Sequence, residues 1–167
     1  GVFVLDGYKT WVAGVGQTRQ LVVKAGRGEG ALYFCVDRET EGLSFERKEK
    51  GFLPEMSEGI ACFNDVTLSH DKLVSHERVH LFGKSEILYI YLSFCGLVIG
   101  HSDDETMSEA CWRLAKTIGT ALQNDDYSEI KNIDHQIQKI RSKGQDSING
   151  VPGWESDQKL IAMYSKG

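Results

Sequence analysis

Up to about Leu68, hydrophobic positions fall in short alternating runs; beyond about Gly83 they recur every three to four residues. The first pattern predicts strands and the second predicts helices. Val2-Phe3-Val4-Leu5 and Lys9-Thr10-Trp11-Val12-Ala13 flank Asp6-Gly7-Tyr8, and an Asp-Gly step between apolar runs predicts a β-hairpin. Gln20 to Ala25 and Ala31 to Asp37 flank Gly26-Arg27-Gly28-Glu29-Gly30, a second hairpin with glycines free to take positive φ. Leu43 to Lys48 alternates after a turn at Glu41-Gly42, and Ile60 to Phe63 with Val66 to Leu68 forms a strand bent at Asn64-Asp65. Six or so short strands at this spacing predict a small antiparallel sandwich or barrel.

In the helical part, Ser102-Asp103-Asp104-Glu105 has the hydroxyl and the later glutamate of a capping box. Met107, Ala110, Cys111, Leu114, Ala115 and Ile118 then make one helical stripe. Ile130, Ile133, Ile137 and Ile140 make a second, closed by Gly144 as a C-cap. Leu160, Ile161 and Tyr164, after Trp154, begin a third helix, and the apolar run Ile87 to Ile99 reads as a buried helix. The fold class is α+β: a β-part over 1–82, then a partial helical bundle over 83–167, with the boundary near Leu81 to Ser85.

Composition acts mainly by exclusion. The chain has 167 residues, 41% hydrophobic and 26% charged, as folded domains do. Nineteen Lys and Arg against 24 Asp and Glu give a net charge of −5, so no basic field exists for nucleic acid. No basic, apolar signal segment opens the chain. Ile87 to Ile99 is shorter than the ~20 residues of a bilayer span, so no membrane segment is expected. Cys35, Cys62, Cys95 and Cys111 are far apart in sequence and read as buried reduced thiols, which fits a cytoplasmic protein.

Little in the residues alone points to chemistry. His70, His76 and His80 share one polar connection, but their spacing completes no familiar zinc set, so no metal is assigned. Gly26, Gly28 and Gly30 lead into a strand and lack the Lys-Ser/Thr ending of a phosphate loop. No helix follows Gly14-Val15-Gly16 as a dinucleotide fingerprint needs, and no Gly-x-Ser-x-Gly elbow places a nucleophile. The acidic run Asp103-Asp104-Glu105 suits the positive end of a helix dipole. Trp11 is the informative residue. On composition its ring reads as a core plug; the alternative is a stacking wall for a planar cofactor, with strand N–H groups facing the cofactor's heteroatoms.

Three runs in order resemble the flavin-dependent acyl-CoA dehydrogenase family. Val4 to Val12 resembles its "LnGxKxWIT" strand pair, Phe34 to Phe45 its "FxVxxxTPGLSF" stretch, and Ile60 to Leu68 its "xxLxFxDVxVP" strand. The resemblance implies a small β-barrel between helical domains, FAD held with Trp11, Val12 and Ala13 flanking the flavin ring, and oxidation of an acyl-CoA thioester. Where the family has Trp-Ile-Thr this chain has Trp11-Val12-Ala13, so a hydroxyl is absent, a loss of roughly 0.5–1.5 kcal/mol of hydrogen bonding. Lys116-Thr117-Ile118-Gly119 resembles the family's "R-K-x-F-G" turn, with Ala115 where an arginine contacts the FAD pyrophosphate. Lys159 to Lys166 resembles the start of a later helix. On this resemblance the chain begins after the first helical domain and ends before the helices that hold the catalytic glutamate, so no catalytic residue is assigned. The alternative is a non-catalytic relative that binds a partner, either a second copy or a complementing chain, through the uncovered face of Ile130, Ile133, Ile137 and Ile140.

Overall fold

The computed structural model describes residues 1–49, 56–144, 148, 151 and 153–165, in two compact units, Gly1–His80 and Leu81–Gly167. In the first unit, β1 (Val2–Ala13), β5 (Glu58–Ser69) and β4 (Leu43–Arg47) form one antiparallel sheet in the order β1-β5-β4. β2 (Gln20–Ala25), β3 (Leu32–Asp37) and β6 (Leu73–Val74) form the other, in the order β2-β3-β6. Leu5, Val12, Ala61, Phe63, Val66 and Leu68 from the first sheet share one core with Leu21, Val23, Phe34 and Val36 from the second. Among the described residues this is a pair of small sheets, not a closed barrel.

The β2–β3 hairpin forms as the glycines require, with Gly26 and Gly28 at φ of 84° and 65°. The Asp6-Gly7 hairpin does not form. β1 is one unbroken 12-residue strand paired with β5. Between the pairs Leu5↔Val66 and Gly7↔Phe63 an extra residue is accommodated on β5, where Asp65 takes φ of 52°. Gly7, at φ of 120°, serves this bulge and not a chain reversal. Between Lys9↔Ala61 and Val12↔Gly59 the extra residue lies on β1, at Thr10-Trp11. At the entry to β4, Gly42 is required: it has φ of 84°, and a Cβ there would lie 2.3 Å from the Asn64 carbonyl oxygen.

α1 (His76–His101), α2 (Glu105–Asn124), α3 (Ile130–Lys143) and α4 (Trp154–Met163) follow. The Ile87–Ile99 run is helical, but α1 starts eleven residues earlier, taking in His76 and His80, which the sequence places in a connection. Ser75 opens it by accepting the Arg78 N–H on its hydroxyl at 3.2 Å. At 26 residues, α1 is long and apolar enough to cross a membrane by length and composition, unlike the 13-residue run alone. Its Ile87, Leu88, Tyr91, Phe94, Cys95 and Val98 are buried in the second unit's core.

Both helical stripes point inward. Met107, Cys111, Leu114 and Ile118 of α2 and Ile133, Ile137 and Ile140 of α3 are buried. The expectation that the isoleucine face needs another chain is therefore overturned: Ile133, Ile137 and Ile140 are 1%, 0% and 8% exposed. The cap of α2 is Asp104, not Ser102: the Asp104 carboxylate accepts from Thr106 N at 2.9 Å and Met107 N at 3.1 Å. Ser102 Oγ accepts from Asp104 N at 3.1 Å instead. Gly144 follows α3 as the expected cap, its N–H on the Ile140 carbonyl at 2.8 Å. Lys166 lies outside the described residues.

Candidate functional site

Trp11 is not a core plug. It is 56% exposed, in the bulge of β1, while Val12 beside it is 8% exposed and points into the sandwich. Among the described residues β1 is an edge strand, so each of its peptides faces either toward β5 or away from it. The direction at each residue follows from the ladder. Lys48 N donates to Glu58 O at 2.8 Å, which turns the Glu58 peptide groups toward β4. Alternation turns Gly59 toward β1, and its register partner Val12 toward Gly59. Ala13, opposite Glu58, is thereby directed away from β5, onto the open edge.

The turn after Ala13 is closely held. Gly14, at φ of 67°, accepts from Gln17 N and Thr18 N at 2.8 Å each. The Thr18 hydroxyl shares its proton between the carbonyls of Gly14 at 2.8 Å and Ala13 at 3.2 Å. Val15 N and Gly16 N donate to the carbonyl and hydroxyl of Ser57, each at 3.0 Å. Arg38 closes the far side: its Nη1 donates to Val15 O at 2.5 Å and Thr18 O at 3.3 Å, while its own N–H reaches Arg19 O at 2.8 Å. The guanidinium carbon lies 4.5 Å from the Phe45 ring centroid. Neither Arg38 nor Thr18 is evident from the sequence, because the loop they hold is closed by residues about 20 positions apart.

The other sequence candidates separate from this site. Lys116 to Gly119 is not a turn: these residues and Ala115 lie in the middle of α2, which ends only at Asp125, a left-handed cap with φ of 51°. His76 Nε2 lies 3.0 Å from Ala31 O and its ring meets Tyr33 edge-on. His70 lies against Phe3. Among the described residues no group of three or more His, Cys, Asp or Glu is placed to hold a metal. Cys95 and Cys111 are buried, and their mutual hydrogen bond together with burial pushes the Cys95 thiol up. Cys35 and Cys62 are only half-buried, since each sits in the less enclosed alternate position of its strand.

Two polar clusters went unseen in the sequence. Asp37, on β3, accepts from Lys72 Nζ at 2.6 Å and Gln20 Nε2 at 2.7 Å, which hold its carboxyl below the usual carboxylate range. In the helical core, the Tyr91 hydroxyl donates to Asp134, and Gln138 Nε2 reaches the same Asp134 oxygen at 3.1 Å. Burial, and then the hydrogen bond to Asp134, pushes the Tyr91 hydroxyl well above the ordinary tyrosine range.

No protein-family model matches this sequence, and neither does any curated protein. Solved structures do match. Butyryl-CoA dehydrogenase from Megasphaera elsdenii superposes with a TM-score of 0.64 at 13% identity, over 98% of this chain and 57% of that one. A glutaryl-CoA dehydrogenase from Mycobacterium smegmatis in complex with FADH2 gives 0.57 at 12%, over 98% and 55%. A glutaryl-coenzyme A dehydrogenase in complex with glutaryl-CoA gives 0.52 at 13%, over 98% and 53%. The chain thus has the fold of acyl-CoA dehydrogenases across 98% of its length, and spans 57% of the length of the butyryl-CoA dehydrogenase. At such identities the likeness is one of fold.

Proposed function

We propose that this chain is a flavin-binding, acyl-CoA dehydrogenase-like oxidoreductase module, with FAD lying against Trp11 and the open edge at Ala13. One observation carries the reading: Trp11 is 56% exposed on the edge strand of its sheet, directly before Val12, which is buried in the core. A planar heteroaromatic ring gains from stacking on an accessible indole, and an outward strand N–H suits a ring heteroatom that accepts. In this reading Ala13 offers the amide and Val12 anchors the strand beneath it. FAD, when bound, supplies the capacity to accept a hydride from a substrate. The chain's own part is to orient the ring, exclude water from one of its faces and present a donor to its edge.

The substrate proposed is an acyl-CoA thioester, since the butyryl-CoA and glutaryl-CoA dehydrogenases share this fold. Four reduced cysteines fit work in the reducing cytoplasm. Purified protein mixed with FAD and passed through gel filtration is expected to retain yellow colour. A colourless protein that leaves FAD fluorescence unchanged contradicts the reading.

Phe82 and Tyr89, 61% and 59% exposed and seven residues apart on one face of α1, favour a second reading, a module that binds a partner chain without catalysis. A strictly monomeric species in sedimentation at micromolar concentration counts against it.

A further inference from the structure

We infer that Arg38 and Thr18 are positioning residues for the proposed flavin edge, making it a hydrogen-bond donor by occupying the acceptor beside it. The inference rests on the flavin reading above.

An outward-facing strand residue exposes its N–H and its C=O together, so a bare edge at Ala13 offers a donor and an acceptor side by side. A ring heteroatom that accepts a hydrogen bond from the amide is repelled by the neighbouring carbonyl lone pairs. Here the Thr18 hydroxyl lies 2.8 Å from Gly14 O and 3.2 Å from Ala13 O, so its shared proton engages the Ala13 acceptor through the longer arm of the pair. The edge then presents the Ala13 amide as a donor, and it selects ligands whose facing atom is an acceptor.

Thr18 stays in place because Arg38 holds the backbone around it. The guanidinium spans two carbonyls, Val15 O at 2.5 Å and Thr18 O at 3.3 Å, and packs on Phe45. Both bonds come from Nη1, which the guanidinium's contact with the Phe45 ring holds in place; lysine keeps a cation but loses that planar ring contact and, with it, the fixed direction of the two donors. Nothing in this arrangement touches the proposed ligand directly, so both residues act through Ala13.

FAD affinity, the visible spectrum of the bound flavin and the thermal midpoint, measured on the unsubstituted chain, Thr18→Val, Thr18→Ser and Arg38→Lys, test this. Thr18→Val keeps the shape and removes the hydroxyl; it is expected to weaken FAD about tenfold and to shift the flavin band. Thr18→Ser is expected to restore both. Arg38→Lys is expected to weaken FAD to a similar extent while the protein remains folded. Unchanged affinity and spectrum in Thr18→Val and Arg38→Lys overturn the inference and leave the flavin reading standing, even if both variants melt earlier. Failure of the unsubstituted chain to bind FAD removes the flavin reading, and this inference with it.

Discussion

The Tyr91 hydroxyl donates a 2.5 Å hydrogen bond to Oδ1 of Asp134, joining α1 to α3 inside the helical core, where the two residues are 0% and 4% exposed. The same hydroxyl lies 3.3 Å from Tyr164 O, and Gln138 Nε2 lies 3.3 Å from Ile161 O, so one buried polar cluster holds three helices and the residue that follows α4. A buried carboxylate is tolerated only while its donors stay in place. Tyr91→Phe keeps the ring and removes a donor, and should destabilise the fold by about 1–3 kcal/mol in urea unfolding. Because burial and Asp134 favour the protonated Tyr91, its contribution is complete below the ordinary tyrosine value of ~10 and is lost as pH rises beyond it. Alkaline titration should therefore show one phenolate appearing together with loss of the helix signal, a coincidence absent in Tyr91→Phe.

Asp104, not Ser102, satisfies the first amides of α2. Asp104→Ala should cost about 1 kcal/mol, and Ser102→Ala distinctly less. Equal effects in thermal unfolding would restore the capping-box assignment.

Asp37 and Lys72 clamp β3 to the turn before β6 at 2.6 Å. Pairing lowers the Asp37 carboxyl and raises the Lys72 ammonium. The Asp37 share of stability is present above the usual carboxylate value of ~3.9 and lost as pH falls through its lower folded value; the Lys72 share is lost only at strongly alkaline pH. Lys72→Met should move the Asp37 titration upward in a carboxyl-detected NMR experiment. An unmoved titration would show that Gln20 alone sets it.

Two glycines should respond in opposite directions. Gly42→Ala drives a Cβ to within 2.3 Å of Asn64 O at φ of 84° and should destabilise by more than ~1 kcal/mol. A Cβ at Gly119, inside α2, meets nothing within 4 Å, so Gly119→Ala should stabilise by roughly 0.5–1 kcal/mol. Denaturant midpoints of the two variants check both signs.

Local periodicity carried most of the fold: the stripes of α2 and α3 and the β2–β3 hairpin depend on neighbours in sequence. The misreadings fall where distant partners decide. Asp6-Gly7 has the chemistry of a turn, yet β5, more than 50 residues on, recruits the whole of Val2–Ala13 as one strand and uses Gly7 for a bulge. Lys116 to Gly119 ends in a glycine that suggests a stop, but Ile118 and Ala121 continue the buried stripe through it. The start of α1 was hidden because His76 to Lys84 is largely polar and exposed, without the apolar stripe that marks the other helices. At the candidate site the sequence singled out Trp11 but left its exposure open. The outward direction of Ala13 and the Arg38–Thr18 clamp arise from register and loop closure, which no single segment encodes.

FAD titration of three proteins, followed by quenching of tryptophan fluorescence and by retained flavin colour, tests the placement of the cofactor most directly: the unsubstituted chain, Trp11→Ala and Trp112→Ala. Trp11 and Trp112 are equally exposed, at 56% each, but Trp112 lies on α2 in the other unit. Saturable binding that Trp11→Ala abolishes and Trp112→Ala preserves is the predicted result. Binding that survives Trp11→Ala undiminished, or none to the unsubstituted chain, contradicts it.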